Sequence, residues 1–200
     1  QYSLTTTDSS FKDWKSKNLD IPTHEICCYP TQENFIEAHV DQLSGFVKQH
    51  PNARVLFSAH GLPEKIVAKG DPYPSQVNAT AAAVAEKLGL QDWVVCYQSK
   101  VGPLPWIKPN TEDEIKRAGE DGKDVIITPI AFVSEHSETL VELDIEFKEI
   151  ADKADVKNYI RVPALGTNPH YIKCLAELCR NASGTNECCP EEGGRCLSLP

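Results

Sequence analysis

Three short segments of this chain gather residues that can move protons or hold cations. The first is His60-Gly61-Leu62-Pro63, followed by Gly70-Asp71-Pro72-Tyr73-Pro74. The second runs Ser99-Lys100-Val101-Gly102-Pro103-Leu104-Pro105-Trp106, and the third Phe132-Val133-Ser134-Glu135-His136-Ser137-Glu138. A neutral imidazole accepts a proton near pH 7, and carboxylates suit hard cations. Glu138, Glu142 and Glu146 recur at i, i+4 and i+8, opposite a stripe of Leu140, Leu143 and Phe147. Like charges at that spacing cost about 0.2–0.5 kcal/mol per pair, and Lys148 is the one cation close by in the segment. Such a run is ordinarily a solvated helix face. Leading into a His-Ser-Glu loop, it also suits drawing in a divalent cation and handing it along. Taken singly, His60 reads as a structural residue more readily than as a catalyst, and Trp106 between prolines as a core cap. Their convergence carries the inference of a cleft.

Convergence is what the surrounding elements predict. Short β-branched or aromatic runs stand at Arg54–Ala59, Trp93–Gln98, Asp124–Ile130 and Asn158–Val162. Between them lie segments of helical spacing: Val77, Ala81, Val84 and Leu88 in the first, Leu140, Leu143, Phe147, Ile150 and Ala154 in the third. Strand and helix alternating at about 30–40 residues per unit indicates βαβ crossovers, an α/β fold with a parallel sheet covered by helices on both faces. In such a sheet, ligands meet the loops at the carboxyl ends of the strands, and all three segments follow strands. Before residue 50 the signals are weaker. Thr7-Asp8-Ser9-Ser10 predicts a cap for a short helix containing Phe11 and Trp14. Glu25–Tyr29 predicts a strand, and Asn34 caps a helix carrying Phe35, Val40, Leu43 and Val47. A last helix is predicted near Pro169–Arg180, giving one α/β domain over residues 1–182 and a cysteine-rich tail over 183–200.

Composition narrows the function classes. Of 200 residues, 40% are hydrophobic, enough for a core. The net charge of −9, with no basic stripe, argues against nucleic acid as a partner. The longest apolar run, Val125–Val133, is interrupted by Thr128 and Pro129 and falls far short of the about 20 residues of a membrane span. No signal peptide opens the chain. It contains no methionine, which predicts that it starts inside a longer protein.

Phe57-Ser58-Ala59-His60-Gly61-Leu62-Pro63, Gly70-Asp71-Pro72-Tyr73-Pro74, Gln98 through Trp106, and Glu138-Thr139-Leu140-Val141-Glu142-Leu143-Asp144-Ile145-Glu146 resemble, in order and spacing, the signature segments of the ferrochelatase family. The likeness runs from Gln1-Tyr2-Ser3 to about residue 180 and covers the carboxyl-terminal part of the family's usual chain. It implies a Rossmann-like chelatase domain that inserts ferrous iron into a porphyrin to make haem, without nucleotide or redox cofactor for the reaction itself. By resemblance, His60 accepts a pyrrole proton or first meets the metal, and Glu138 is its acidic partner across the macrocycle. His136, Glu142 and Glu146 match a polar path for the iron, and Glu135 stands where a related acid is common. Ser99, Trp106 and Tyr97 match residues that line the porphyrin cleft. The Glu-Thr-Leu-x-Glu-Leu-Asp pattern leans toward protoporphyrin IX over coproporphyrin. The implied partners are porphyrin, ferrous iron, the amino-terminal half that completes the cleft, a peripheral membrane surface and a second copy of the chain. The implied location is the cytoplasm, at the inner membrane, or its matrix side in a mitochondrion. The fragment alone is expected to make little haem.

The resemblance extends to the cysteines. Some relatives carry a 2Fe–2S cluster on a carboxyl-terminal extension, with three cysteines in the tail and one near Gln-Tyr-Ser. Leu4 occupies that distant position here, but Cys179, Cys188, Cys189 and Cys196 offer four thiols locally, with Cys174 a turn before Cys179. A structural zinc site is the rival reading. Cys27, Cys28 and Cys96 read as small buried hydrophobes. Two further functions stay open: a non-catalytic metal- or haem-binding module on the same fold, and a cobalt or nickel tetrapyrrole chelatase.

Overall fold

The computed structural model describes residues 1–182. Strands β1 (Arg54–His60), β2 (Trp93–Gln98), β3 (Val125–Pro129) and β4 (Tyr159–Arg161) form one parallel sheet in the order β2-β1-β3-β4. Among the described residues the helices are α1 (Thr7–Ser16), α2 (Glu33–Gln49), α3 (Glu64–Val67), α4 (Tyr73–Leu88), α5 (Thr111–Glu120), α6 (Ser137–Leu140), α7 (Phe147–Lys153) and α8 (Pro169–Asn181). A π-helical turn, Glu142–Glu146, joins α6 to α7.

The chain leaves β1 through α4 to reach β2 on one side, then crosses back through α5 to β3 on the other. Because βαβ crossovers are right-handed, opposite directions of travel put α4 and α5 on opposite faces. One core layer joins Val55, Phe57, Val95 and Ile126 of the strands to Val77, Ala81 and Val84 of α4 and to Leu43 of α2. The other joins Leu56, Cys96 and Ile127 to Ile115, Ala118, Phe147 and Ala151 of α5 and α7. Strands covered on both faces must be apolar throughout, and every residue of β3 is buried. The α5–α7 contact is closest at Gly119, where a Cβ atom would lie 1.9 Å from the Ala154 carbonyl oxygen.

The four strands predicted from Arg54 onward and the helices near Val77–Leu88 and Pro169–Arg180 are present, with ends shifted by at most four residues. Three local expectations are corrected. Glu25–Tyr29 is not a strand: its Ile26 and Tyr29 pack with α2 and α8 against Phe35, Leu165 and Tyr171, away from any sheet edge. The residues Thr7–Ser10 lie inside the first turns of α1 rather than before it, and Asp8 pairs with Lys12 at 2.7 Å. The cap of α2 is Gln32, whose side chain accepts from Phe35 N–H, while Asn34 donates to Glu177. Cys96, Cys27 and Cys28 are buried, the last two outside any strand.

Candidate active site

Strand β1 is central, with β2 and β3 on either side, so its carboxyl end lies where the strand order reverses. His60 is its last residue. The His60 Nδ1 lies 2.6 Å from the Gly61 carbonyl oxygen, a contact that requires the proton on Nδ1. Nε2 therefore faces Glu138 Oε1, 3.3 Å away.

Loops fix the neighbours of His60. The segments after β1 and β2 bond to each other through Glu64 N–H to Pro105 O at 2.9 Å and Ile107 N–H to Leu62 O at 3.0 Å. This brings Trp106 beside His60, with ring centroids 6.2 Å apart, and lays the indole over Gly61. A Cβ on Gly61 would sit 3.1 Å from both the Trp106 ring and the Gln98 carbonyl oxygen, so no larger side chain fits without displacing one of them. Phe132 completes an aromatic row, edge-on to His60 at 6.4 Å and to His136 at 4.7 Å. His136 caps α6, its Nδ1 accepting from Glu138 N–H at 3.2 Å, and lies 3.8 Å from Glu138 Oε2. Glu138 thus stands between two imidazoles.

Glu142 is held differently. Its carboxylate receives Ser99 N–H at 2.7 Å, Ser99 Oγ–H at 2.6 Å and Gln98 Nε2–H at 2.9 Å. Ser99 adopts the left-handed backbone region (φ 63°), uncommon for a residue with a side chain, and these two bonds hold it there. Gln98 is buried; its amide also donates to the Glu138 carbonyl oxygen at 2.7 Å and accepts from Ser58 Oγ–H at 2.7 Å. Glu142 therefore anchors the α6 segment to the end of β2.

The remaining predicted residues separate. Glu146 is exposed on the far side of the π-turn. Glu135 turns toward Arg161, which lies 2.6 Å away. Alternation along β2 sends the Tyr97 side chain to the α4 face, opposite Gln98. It is buried there, and burial pushes its phenol up to about 12. Leu140, expected on the buried stripe, is exposed because the wider π-turn intervenes between it and Phe147. Gln98, Phe132 and Arg161 were not singled out from the sequence. Gln98 follows Tyr97 at the end of β2, so the same alternation that buries Tyr97 would have pointed to it.

A ferrochelatase family model matches residues 1–183. The chain belongs to the ferrochelatase family. It is 53% identical over 184 residues to a ferrochelatase of Pelagibacter ubique, covering 89% of this chain and 54% of that protein. A Rickettsia conorii ferrochelatase is 48% identical over 211 residues, covering 98% and 61%. A Caulobacter vibrioides ferrochelatase is 54% identical over 190 residues, covering 92% and 54%. The chain thus spans just over half the length of these curated relatives. A solved structure, SirB from Bacillus subtilis with Fe3+, superposes with a TM-score of 0.56 at 18% identity over 76% of this chain and 54% of that one, which shows a shared fold.

Against this ferrochelatase frame, the cysteines divide. Cys174 is buried between α2 and α8, where burial pushes its thiol up to about 11, an unsuitable state for a metal ligand. Cys179 is exposed near the end of α8. Cys188, Cys189 and Cys196 lie outside the described residues. Among the described residues, no three His, Cys, Asp or Glu side chains are grouped to hold a metal ion, so these residues alone do not make a cluster site. No described helix is long and apolar enough to cross a membrane.

Proposed function

We propose that this chain supplies the carboxyl-terminal part of a ferrochelatase active site, and that the whole enzyme inserts ferrous iron into protoporphyrin IX to form haem. The observation that carries the reading is the contact of 3.3 Å between His60 Nε2 and Glu138 Oε1 at the switch point of the sheet, beside Trp106 and Phe132. Insertion releases two pyrrole protons while four nitrogens replace water around the metal, so the site needs a proton acceptor, a route for cations and a flat apolar wall. His60 Nε2 is the acceptor, its ring oriented by the Gly61 carbonyl oxygen. Glu138 balances the imidazolium formed there, and His136 lies next along the relay. Trp106 and Phe132 furnish the wall. Glu142 keeps the relay in place by tying it to Ser99, and Glu146 stands at its solvent end.

The decisive test is an anaerobic assay of the full-length protein with ferrous iron and protoporphyrin IX, following haem by absorbance. Haem formation that exceeds the rate with coproporphyrin supports the reading. Turnover with cobalt or nickel but not iron favours the wider chelatase class, and binding without product favours a carrier module.

For the tail, the proposal is a 2Fe–2S cluster held by Cys179, Cys188, Cys189 and Cys196, supported by the exposure of Cys179 and the density of cysteines beyond it. An EPR signal in dithionite-reduced protein is the expected result; colourless protein with stoichiometric zinc would replace the cluster with zinc. Location in the cytoplasm or mitochondrial matrix, with peripheral contact at the inner membrane and pairing with a second copy, completes the proposal.

A further inference from the structure

The geometry points to Arg161 as a positioning residue that clamps both ends of the segment carrying His136 and Glu138, and thereby sets the His60–Glu138 separation. Its kinetic consequence rests on the chelatase reading; its geometric one does not.

Arg161 ends β4, the short edge strand, in register with Ile127 of β3. Its guanidinium donates from Nε and Nη2 to the two oxygens of Asp144, at 2.6 and 2.7 Å, and from Nη1 to Glu135 Oε1 at 2.6 Å. Glu135 immediately precedes His136, and Asp144 lies inside the π-turn, two residues after Glu142. One cation therefore grips the segment before its first functional side chain and after its third anchor. The same strand and its loop reinforce both ends: Ala164 N–H donates to Glu135 Oε1 at 2.9 Å, and the Tyr159 hydroxyl to the Leu143 carbonyl oxygen at 2.7 Å.

The clamp adds to the Glu142 anchor in a segment with little apolar packing of its own. A four-residue helix is marginal alone, and π-turns are rare and usually functional. Leu140, Val141 and Ile145 are 47%, 45% and 53% exposed, which leaves Leu143 as the main apolar anchor. Arg161 itself is 14% exposed, while its partners Glu135 and Asp144 are 33% and 35% exposed, so the fork is fixed on its inner side and open to water at its carboxylates. Burial pushes the Glu135 carboxyl up, yet hydrogen bonds from Thr139, Arg161 and Ala164 outweigh it and hold the carboxyl below its ordinary value. A planar fork is needed to meet Asp144 with two bonds while a third reaches Glu135; an ammonium group cannot reproduce that geometry.

The test compares full-length wild type with Arg161→Lys and Asp144→Asn, the second removing one anchor while leaving the arginine. Amide hydrogen exchange over residues 138–146 is read beside steady-state insertion of ferrous iron. The expected result for Arg161→Lys is exchange about tenfold faster in that segment with β1 and β3 unchanged. The accompanying kcat falls about tenfold to a hundredfold, while KM for porphyrin stays within about twofold. Asp144→Asn gives the same pattern, weaker. Unchanged exchange overturns the clamp, as does a loosened segment with unaltered kcat, or a KM rise that accounts for the whole loss. If wild type makes no haem, the chelatase reading fails and the exchange result alone decides whether Arg161 is a clamp.

Discussion

At the amino-terminal rim of the sheet, Arg54 enters β1 with its guanidinium divided between Asp92 at 2.8 Å and Asp121 at 2.9 Å, the latter a close ion pair set off the line of a good hydrogen bond. Lys123 approaches Asp92 at 3.4 Å, and Asp124 takes two hydrogen bonds of 3.0 Å from Asn158. At the carboxyl-terminal rim, Glu138 has two imidazoles as its neighbours, and His60 and Glu138 are 36% and 38% exposed. The lower rim matches Asp92 and Asp121 with permanent cations, with His50 at 3.6 Å from Asp124 as its one imidazole contact among these residues, and so chiefly serves the fold. The upper rim matches a carboxylate with groups that can be neutral, which leaves capacity for a proton or a cation.

This contrast can be broken from either side. Its largest consequence is kinetic: in the proposed chelatase reaction of the full-length protein, His60→Ala should lower metal insertion by about a hundredfold to ten-thousandfold, with thermal stability little changed. A variant that retains wild-type kcat would remove His60 from the mechanism. Arg54→Met should do the reverse, costing about 1–3 kcal/mol of stability in chemical denaturation while sparing kcat. A fall in kcat larger than the loss of folded protein would mean that the rims are coupled.

A smaller effect separates the rims by pH. Burial pushes the Asp92 carboxyl up, but hydrogen bonds from Arg54 and Lys123 outweigh it and hold the folded-state value below 3.8. The unfolded chain therefore binds this proton more readily. The contribution is full above 3.8 and is lost as the pH falls through the folded-state value. Thermal unfolding of Asp92→Asn should consequently depend less on pH than wild type below about pH 4. Parallel curves would show that the Arg54 pairs do not govern acid stability. Smallest of all, Glu146→Gln should shift stability by less than about 0.5 kcal/mol, since its side chain is exposed. A larger shift in the unfolding midpoint would give Glu146 a structural task.

The sheet was legible because doubly covered strands have apolar centres, and Val55–Phe57 and Val125–Ile127 supply them in β1 and β3. The convergence of His60, Ser99, Trp106 and Glu138 followed from strand polarity alone. The acid staircase was only half legible. A heptad-like count assumes one helical pitch, and the π-turn at Glu142–Glu146 breaks that assumption, exposing Leu140 and separating Glu142 from Glu146 in role. Glu142's bonds to Ser99 and Gln98 bridge 43 and 44 positions of chain and leave no local trace. Arg161 escaped notice for the same reason: its partners lie 17 and 26 residues away. Alternation, properly followed, would have placed Tyr97 on the α4 face.

Gly61 carries one more consequence. The indole of Trp106 rests where a methyl group would begin, so the gap between tryptophan and histidine is gauged by a missing carbon. A lone alanine there would act as a shim, shifting the indole or the Gln98 carbonyl by a few tenths of an ångström and so resetting the aromatic wall beside the imidazole.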